Sequence, residues 1–175
     1  MARHEVHERN DLIEGARVEE IELRPDELAL STLADIGHID ATLLHIANAD
    51  SHSAEQWARI ILEGASAEMR ADLERAWQKI ALRRHPIGAA RTVQGWPIAH
   101  IELDYALLQV ASDFGFEGQL LFRRDARGVL LATFIRFDEA AGRAVWDLAL
   151  PAHLRFVRTL LEGAHVRVTA ERVCS

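Results

Sequence analysis

"VWDLALPAHLRFVRTLLEGA", residues 145 to 164, reads as one long amphipathic helix, which needs an apolar surface to lie on. At about 100° per residue the apolar side chains of Trp146, Ala149, Leu150, Phe156, Val157, Leu160 and Leu161 fall in one arc, with His153 at its centre. Pro151 lies on the far side with Asp147, Arg158 and Glu162. There its missing N–H faces water and lets the helix bend around a core. A buried imidazole left without a partner costs about 1–3 kcal/mol, so His153 must meet protein, water or ligand. Two readings stay open: a structural histidine bonded to a backbone carbonyl or to Thr133 on a facing strand, and a functional residue lining a cavity.

Upstream of this helix the period is 2. "FEGQLLFRR" (116 to 124) sets Phe116, Gly118, Leu120 and Phe122 against Glu117, Gln119, Leu121 and Arg123. "DARG" (125 to 128) supplies a turn with glycine at its left-handed position, and "VLLATFIRF" returns with Val129, Leu131, Thr133, Ile135 and Phe137 on one face. "GWPIAHIEL" places Ala99, Ile101 and Leu103 on one face and His100, Glu102 and Asp104 on the other, and "YALLQVAS" continues as a strand. At least three consecutive antiparallel strands are expected, followed by the helix with Asp138 as its N-cap.

Before the strands come two short helices. Ser53 with Gln56 makes a capping box, and Trp57, Ile60 and Ile61 form the apolar face of a helix ending at Gly64. Ser66 caps the second, in which Met69, Leu73, Trp77 and Ile80 recur at helical spacing until Pro86. "HIDATLLHIA" (38 to 47) is the first core strand, and "ARVEEIEL" (16 to 23) an imperfect edge strand. The order strand, two helices, antiparallel meander and long helix defines an α+β chain whose last helix must bury its apolar side on the sheet. We divide it into an N-terminal extension or extra edge strand (1 to 37), one domain (38 to 168) and a tail (169 to 175).

Composition bounds the function. The 175 residues carry a net charge of −7, which offers no basic footprint for nucleic acid. The single Cys174 cannot form an internal disulfide, and a reducing cytoplasm fits. "MARHEVHERND" starts without an apolar segment, and no run of about 18 apolar residues follows, so neither a secretion signal nor an integral membrane span is expected. "HEVHE" (4 to 8) has its histidines three apart and no helical pattern around them, so no metal is assigned. Asp50 and His52 in "NADSH" read as loop and cap, and Glu102 and Asp104 as the solvated side of a strand. No nucleophile elbow, P-loop or dinucleotide motif occurs, and no cofactor is expected.

Several stretches together carry a resemblance: "SAEQWARIILEG" with Glu55, Gln56 and Trp57, "QGWPIA" with Gly95 and Trp96, and "GQLLFRRDARGVLLATFIRFDEAAGRAVWDLALPAHLRFVRTLLEGA". Within the last, Ala132 to Phe134, Arg143 to Trp146, Pro151 and His153 are the most specific pieces. The chain resembles, over residues 38 to 165, a largely actinobacterial family related to the polyketide cyclase and START-like (SRPBCC) superfamily. That resemblance implies a helix-grip fold: a curved antiparallel sheet wraps the long C-terminal helix, and the cavity between them holds an apolar ligand. It supplies no catalytic motif, and residues 1 to 37 match it poorly.

The expected function is binding of a hydrophobic small molecule, lipid or polyketide-like, by His153, Trp146, Leu150, Thr133, Trp57, Trp96 and Ile135. A catalytic version makes His153 the general acid or base of a cyclisation or dehydration. The rival reading is a protein-interaction or chaperone-partner module with a filled core, using "RVEEIELRPDEL" for strand augmentation. A homodimer through an exposed strand stays open.

Overall fold

The computed structural model describes residues 17–174; "HEVHE" lies outside them. Among the described residues seven strands form one open antiparallel sheet in the order β1-β2-β7-β6-β5-β4-β3. They are β1 (Arg17–Glu20), β2 (His38–His45), β3 (Thr92–Val93), β4 (Trp96–Ile101), β5 (Tyr105–Ser112), β6 (Phe116–Asp125) and β7 (Gly128–Phe137). The helices are α1 (Pro25–Leu28), α2 (Ala54–Leu62), α3 (Ala67–Lys79) and α4 (Ala140–Val173). The chain is therefore α+β, with a long C-terminal helix laid on an antiparallel sheet. None of the helices is long and apolar enough, among the described residues, to cross a membrane.

Local chemistry sets the helix starts. Ser53 Oγ accepts from Gln56 N at 3.2 Å while Gln56 Oε1 accepts from Ser53 N at 2.7 Å, so the capping box of α2 is closed in both directions. Ser66 Oγ accepts from Met69 N at 3.1 Å to start α3. The start of α4 differs from expectation: its N-cap is Glu139, without a side-chain hydrogen bond, while Asp138 accepts from Arg136 Nε at 2.9 Å. Strand-end pairing has drawn the better capping side chain away. At the other end α4 runs through residues 169–173, assigned above to a tail, because no glycine or proline interrupts them and Val168 is still buried.

The inner face of the sheet carries Leu44, Leu108, Leu120, Phe122 and Leu131 against Trp57, Ile61 and Leu62 of α2 and Val157, Leu160 and Leu161 of α4. Pro151 is exposed and sits inside the unbroken α4, on the side away from this core. The outer face is covered as well. Leu43, Leu107, Leu121, Leu130 and Phe134 pack under a strap, residues 21–36, that contributes Ile21, Leu23, Leu30, Leu33 and Ile36.

Polar anchors hold that strap down. Glu27, wholly buried, meets Arg24 Nη2 at 3.1 Å, Arg123 Nη1 at 3.7 Å and Arg127 Nη2. Gln119, also wholly buried, accepts from Ser31 Oγ and donates to Thr32 Oγ1 and Gln109 Oε1, each at 2.7 Å.

The alternation expected for "GWPIAHIEL" is broken. A register irregularity between Ile98 and His100 shifts the phase of β4, so that Ile98, opposite Leu108, packs on the core and Ile101, opposite Ala106, shares its face; Ile101 at the strand end is 40% exposed and Leu103, in the turn beyond it, 65%. Ala99 is exposed with them. Glu102 and Asp104 stay at the surface, bonded to His100 at 3.0 Å and Arg124 at 3.1 Å.

Candidate functional site

The residues of β6 and β7 that face α4 do not all touch it. Gly118 lacks a side chain, and around it Phe116, Leu120, Leu131, Thr133 and Ile135 floor a cavity of about 420 Å³. Its walls are α3, through Leu73, Ala76 and Trp77, and α4, through Trp146, Ala149, His153 and Phe156. Exposed Arg75, Lys79 and Leu148 also line it, which sets its mouth between those two helices. The volume is that of a small-molecule site, and the wall is apolar with few polar groups.

His153 is the chief polar group. From the inner stripe of α4 it reaches the sheet, where its Nε2 lies 3.2 Å from Thr133 Oγ1 and 3.1 Å from Asp40 Oδ2. Asp40 sits on β2 directly beside Thr133 of β7 in the sheet register. The same carboxylate oxygen is 2.8 Å from His38 Nε2. Burial alone would push the Asp40 carboxyl up; hydrogen bonds from His153 and His38 outweigh it and hold the group at about 2. Asp40 is therefore an anion at neutral pH, and the ring nitrogen facing it, Nε2, carries the proton. Nδ1 of His153 has no hydrogen-bond partner among the described residues.

Aromatic rings frame this group. Trp146 contacts the His153 ring at 5.0 Å, the His38 ring at 5.3 Å and the Phe116 ring at 6.0 Å between centroids. Across the cavity Trp77 meets Trp96 edge-on at 5.8 Å, with the Arg84 guanidinium over the Trp77 face at 4.6 Å. The indole nitrogens of Trp96 and Trp146 are buried and donate to no acceptor among the described residues. Each leaves an unmet donor, which costs about 1–3 kcal/mol.

Of the residues expected to bind a ligand, His153, Trp146, Thr133, Trp96 and Ile135 share the cavity wall. Leu150 instead packs with Phe116, Ile135 and Trp146 beside it. Trp57 is wholly buried, and its indole N–H donates to Ala49 O at 2.7 Å, an anchor for the loop before α2. Two residues were missed. Trp77, placed above only on the apolar stripe of the second helix, lines the cavity. Asp40 was passed over inside a strand, although its signal was present: His38, Asp40, Thr42 and Leu44 alternate onto one face, so a carboxylate shares the side of a core leucine. Asp50, expected in a loop, lies in a single 3-10 turn, Ala49–Ser51, and His52 follows it, bonded to Ser51 Oγ at 2.9 Å. Among the described residues no group of His, Cys, Asp or Glu side chains converges as a metal site.

Fold and site together define an α+β protein with an apolar cavity between sheet and helices and a carboxylate-bound histidine in its wall. No protein-family model, curated protein or solved structure matches the chain.

Proposed function

We propose that this chain is a cytoplasmic helix-grip protein of the START and polyketide cyclase type, whose cavity binds a hydrophobic small molecule. One observation carries the reading: about 420 Å³ of space lies between sheet, α3 and α4, where side chains of a purely structural core would interlock. The open volume beside His153 favours ligand binding over an interaction module with a filled core. Thr133 and His153 are the groups that would orient such a guest.

Titration with the neutral apolar dye N-phenyl-1-naphthylamine tests this. Saturable one-to-one fluorescence is expected. Ala149→Trp, which fills the cavity from the α4 side, weakens it by at least about tenfold, or about 1.4 kcal/mol, without loss of helical circular dichroism. Equal binding by the folded variant would remove the cavity from the account.

A further inference from the structure

We propose that His153 and Asp40 form a proton-transfer pair that acts on an acidic C–H next to a carbonyl in an apolar molecule held in the cavity, a step that rests on the binding reading above. Two facts coincide at His153. It lines the cavity, and it is held by a buried carboxylate, with Nε2 at 3.1 and 3.2 Å from the two Asp40 oxygens. A histidine that only packs needs a single acceptor. Here an ionised carboxylate fixes the Nε2–H tautomer, which leaves Nδ1 as the basic nitrogen, and Nδ1 has no partner among the described residues. Thr133 Oγ1 lies 3.2 Å from the same Nε2 as a second acceptor, so its own O–H is left to donate to a ligand oxygen.

The step balances within the pair and its substrate. The Nδ1 lone pair takes the α-proton, the C–H electron pair becomes the C=C bond of an enolate, and the carbonyl π pair moves onto oxygen. Asp40 offsets the imidazolium charge that forms, as a positioning residue that does not itself take the proton. Return of the proton to the α-carbon regenerates the ketone. Return to a conjugated carbon moves a double bond. Neither outcome needs a co-reactant.

The probe is 2-tetralone, an apolar ketone with acidic α-hydrogens, incubated with the full chain in heavy water and followed by NMR. Wild-type protein is expected to exchange the α-hydrogens at least about 100-fold faster than His153→Phe, the usual lower bound for positioned acid–base catalysis. Asp40→Asn should lose most of that acceleration. In the same variant the 15N shifts of His153 should show the proton no longer confined to Nε2, a signature that a purely structural Asp40 would not move. Dye displacement by 2-tetralone is measured in every variant. Wild-type exchange no faster than that given by an equal concentration of free imidazole, with 2-tetralone still displacing the dye, overturns the pair's role and leaves binding standing. Failure of both dye and ketone to bind wild-type protein overturns both.

Discussion

Asp40 concentrates the electrostatics of this molecule. Its carboxyl is held at about 2, below the ordinary aspartate value near 3.8. A group whose pKa is depressed on folding stabilises the native state above its unfolded value and loses that contribution as pH falls through the folded one. At about 1.36 kcal/mol per pH unit the net depression, in which the contacts with His153 and His38 outweigh the cost of burial, is worth about 2 kcal/mol at pH 7, lost between about pH 4 and 2. Urea unfolding of Asp40→Asn should show that loss at pH 7 and a flatter acid limb over the same interval; an unchanged limb would mean the carboxylate is not so held. His153 was legible because it interrupts an apolar arc. Asp40 showed only as a carboxylate on the face of a core leucine; its pairing with His153, 113 residues away, was not legible, because only the docking of α4 on the sheet brings the two together. Gly128 is a second residue whose role is exact: its φ is +145°, and a Cβ there would lie 1.9 Å from Leu44 O. Gly128→Ala should cost at least about 2 kcal/mol in thermal or urea unfolding, combining backbone strain with displacement of β2 from β7.

Among the elements, α4 was the most readable, since 3.6-residue periodicity over many turns leaves little choice of face. Its ends were less so, because Asp138 is claimed by Arg136 and because Val168 keeps the last turns packed. Pro151 is exposed and α4 continues through it. Its cost relative to alanine in a helix interior is about 3 kcal/mol, and the surrounding packing bears it. Pro151→Ala should therefore raise stability, by about 1–3 kcal/mol on restoring the hydrogen bond to Asp147 O. A fall in the melting temperature would instead show that the sheet depends on the proline's geometry. The strand β4 teaches the opposite lesson. Its sequence alternates cleanly, yet one irregularity at residues 98–100 puts Ile98 and Ile101, three apart, on the same face, and local pattern holds no sign of that shift.

At the scale of the whole molecule the sheet is buried on both faces. The near-continuous apolar runs "YALLQVAS" and "VLLATF" carried this information, since a strand covered on both sides has no polar face to show. What covers the outer face could not be read, because the strap is irregular and is anchored by polar side chains rather than by a periodic apolar pattern. Glu27 is its chief anchor, wholly buried among Arg24, Arg123 and Arg127. Removing one partner of a buried ion cluster typically costs about 3–5 kcal/mol. Glu27→Ala should lose stability on that scale, and amide exchange should rise first in residues 21–36; protection unchanged there would show that apolar packing alone holds the strap. On the inner face the sheet, α3 and α4 enclose the space on which the functional account depends. A crystal of the protein pressurised with xenon tests that space most directly. We predict xenon density among Trp77, Trp96, Thr133 and His153, and a closed, fully interdigitated core without xenon at that position would contradict the account.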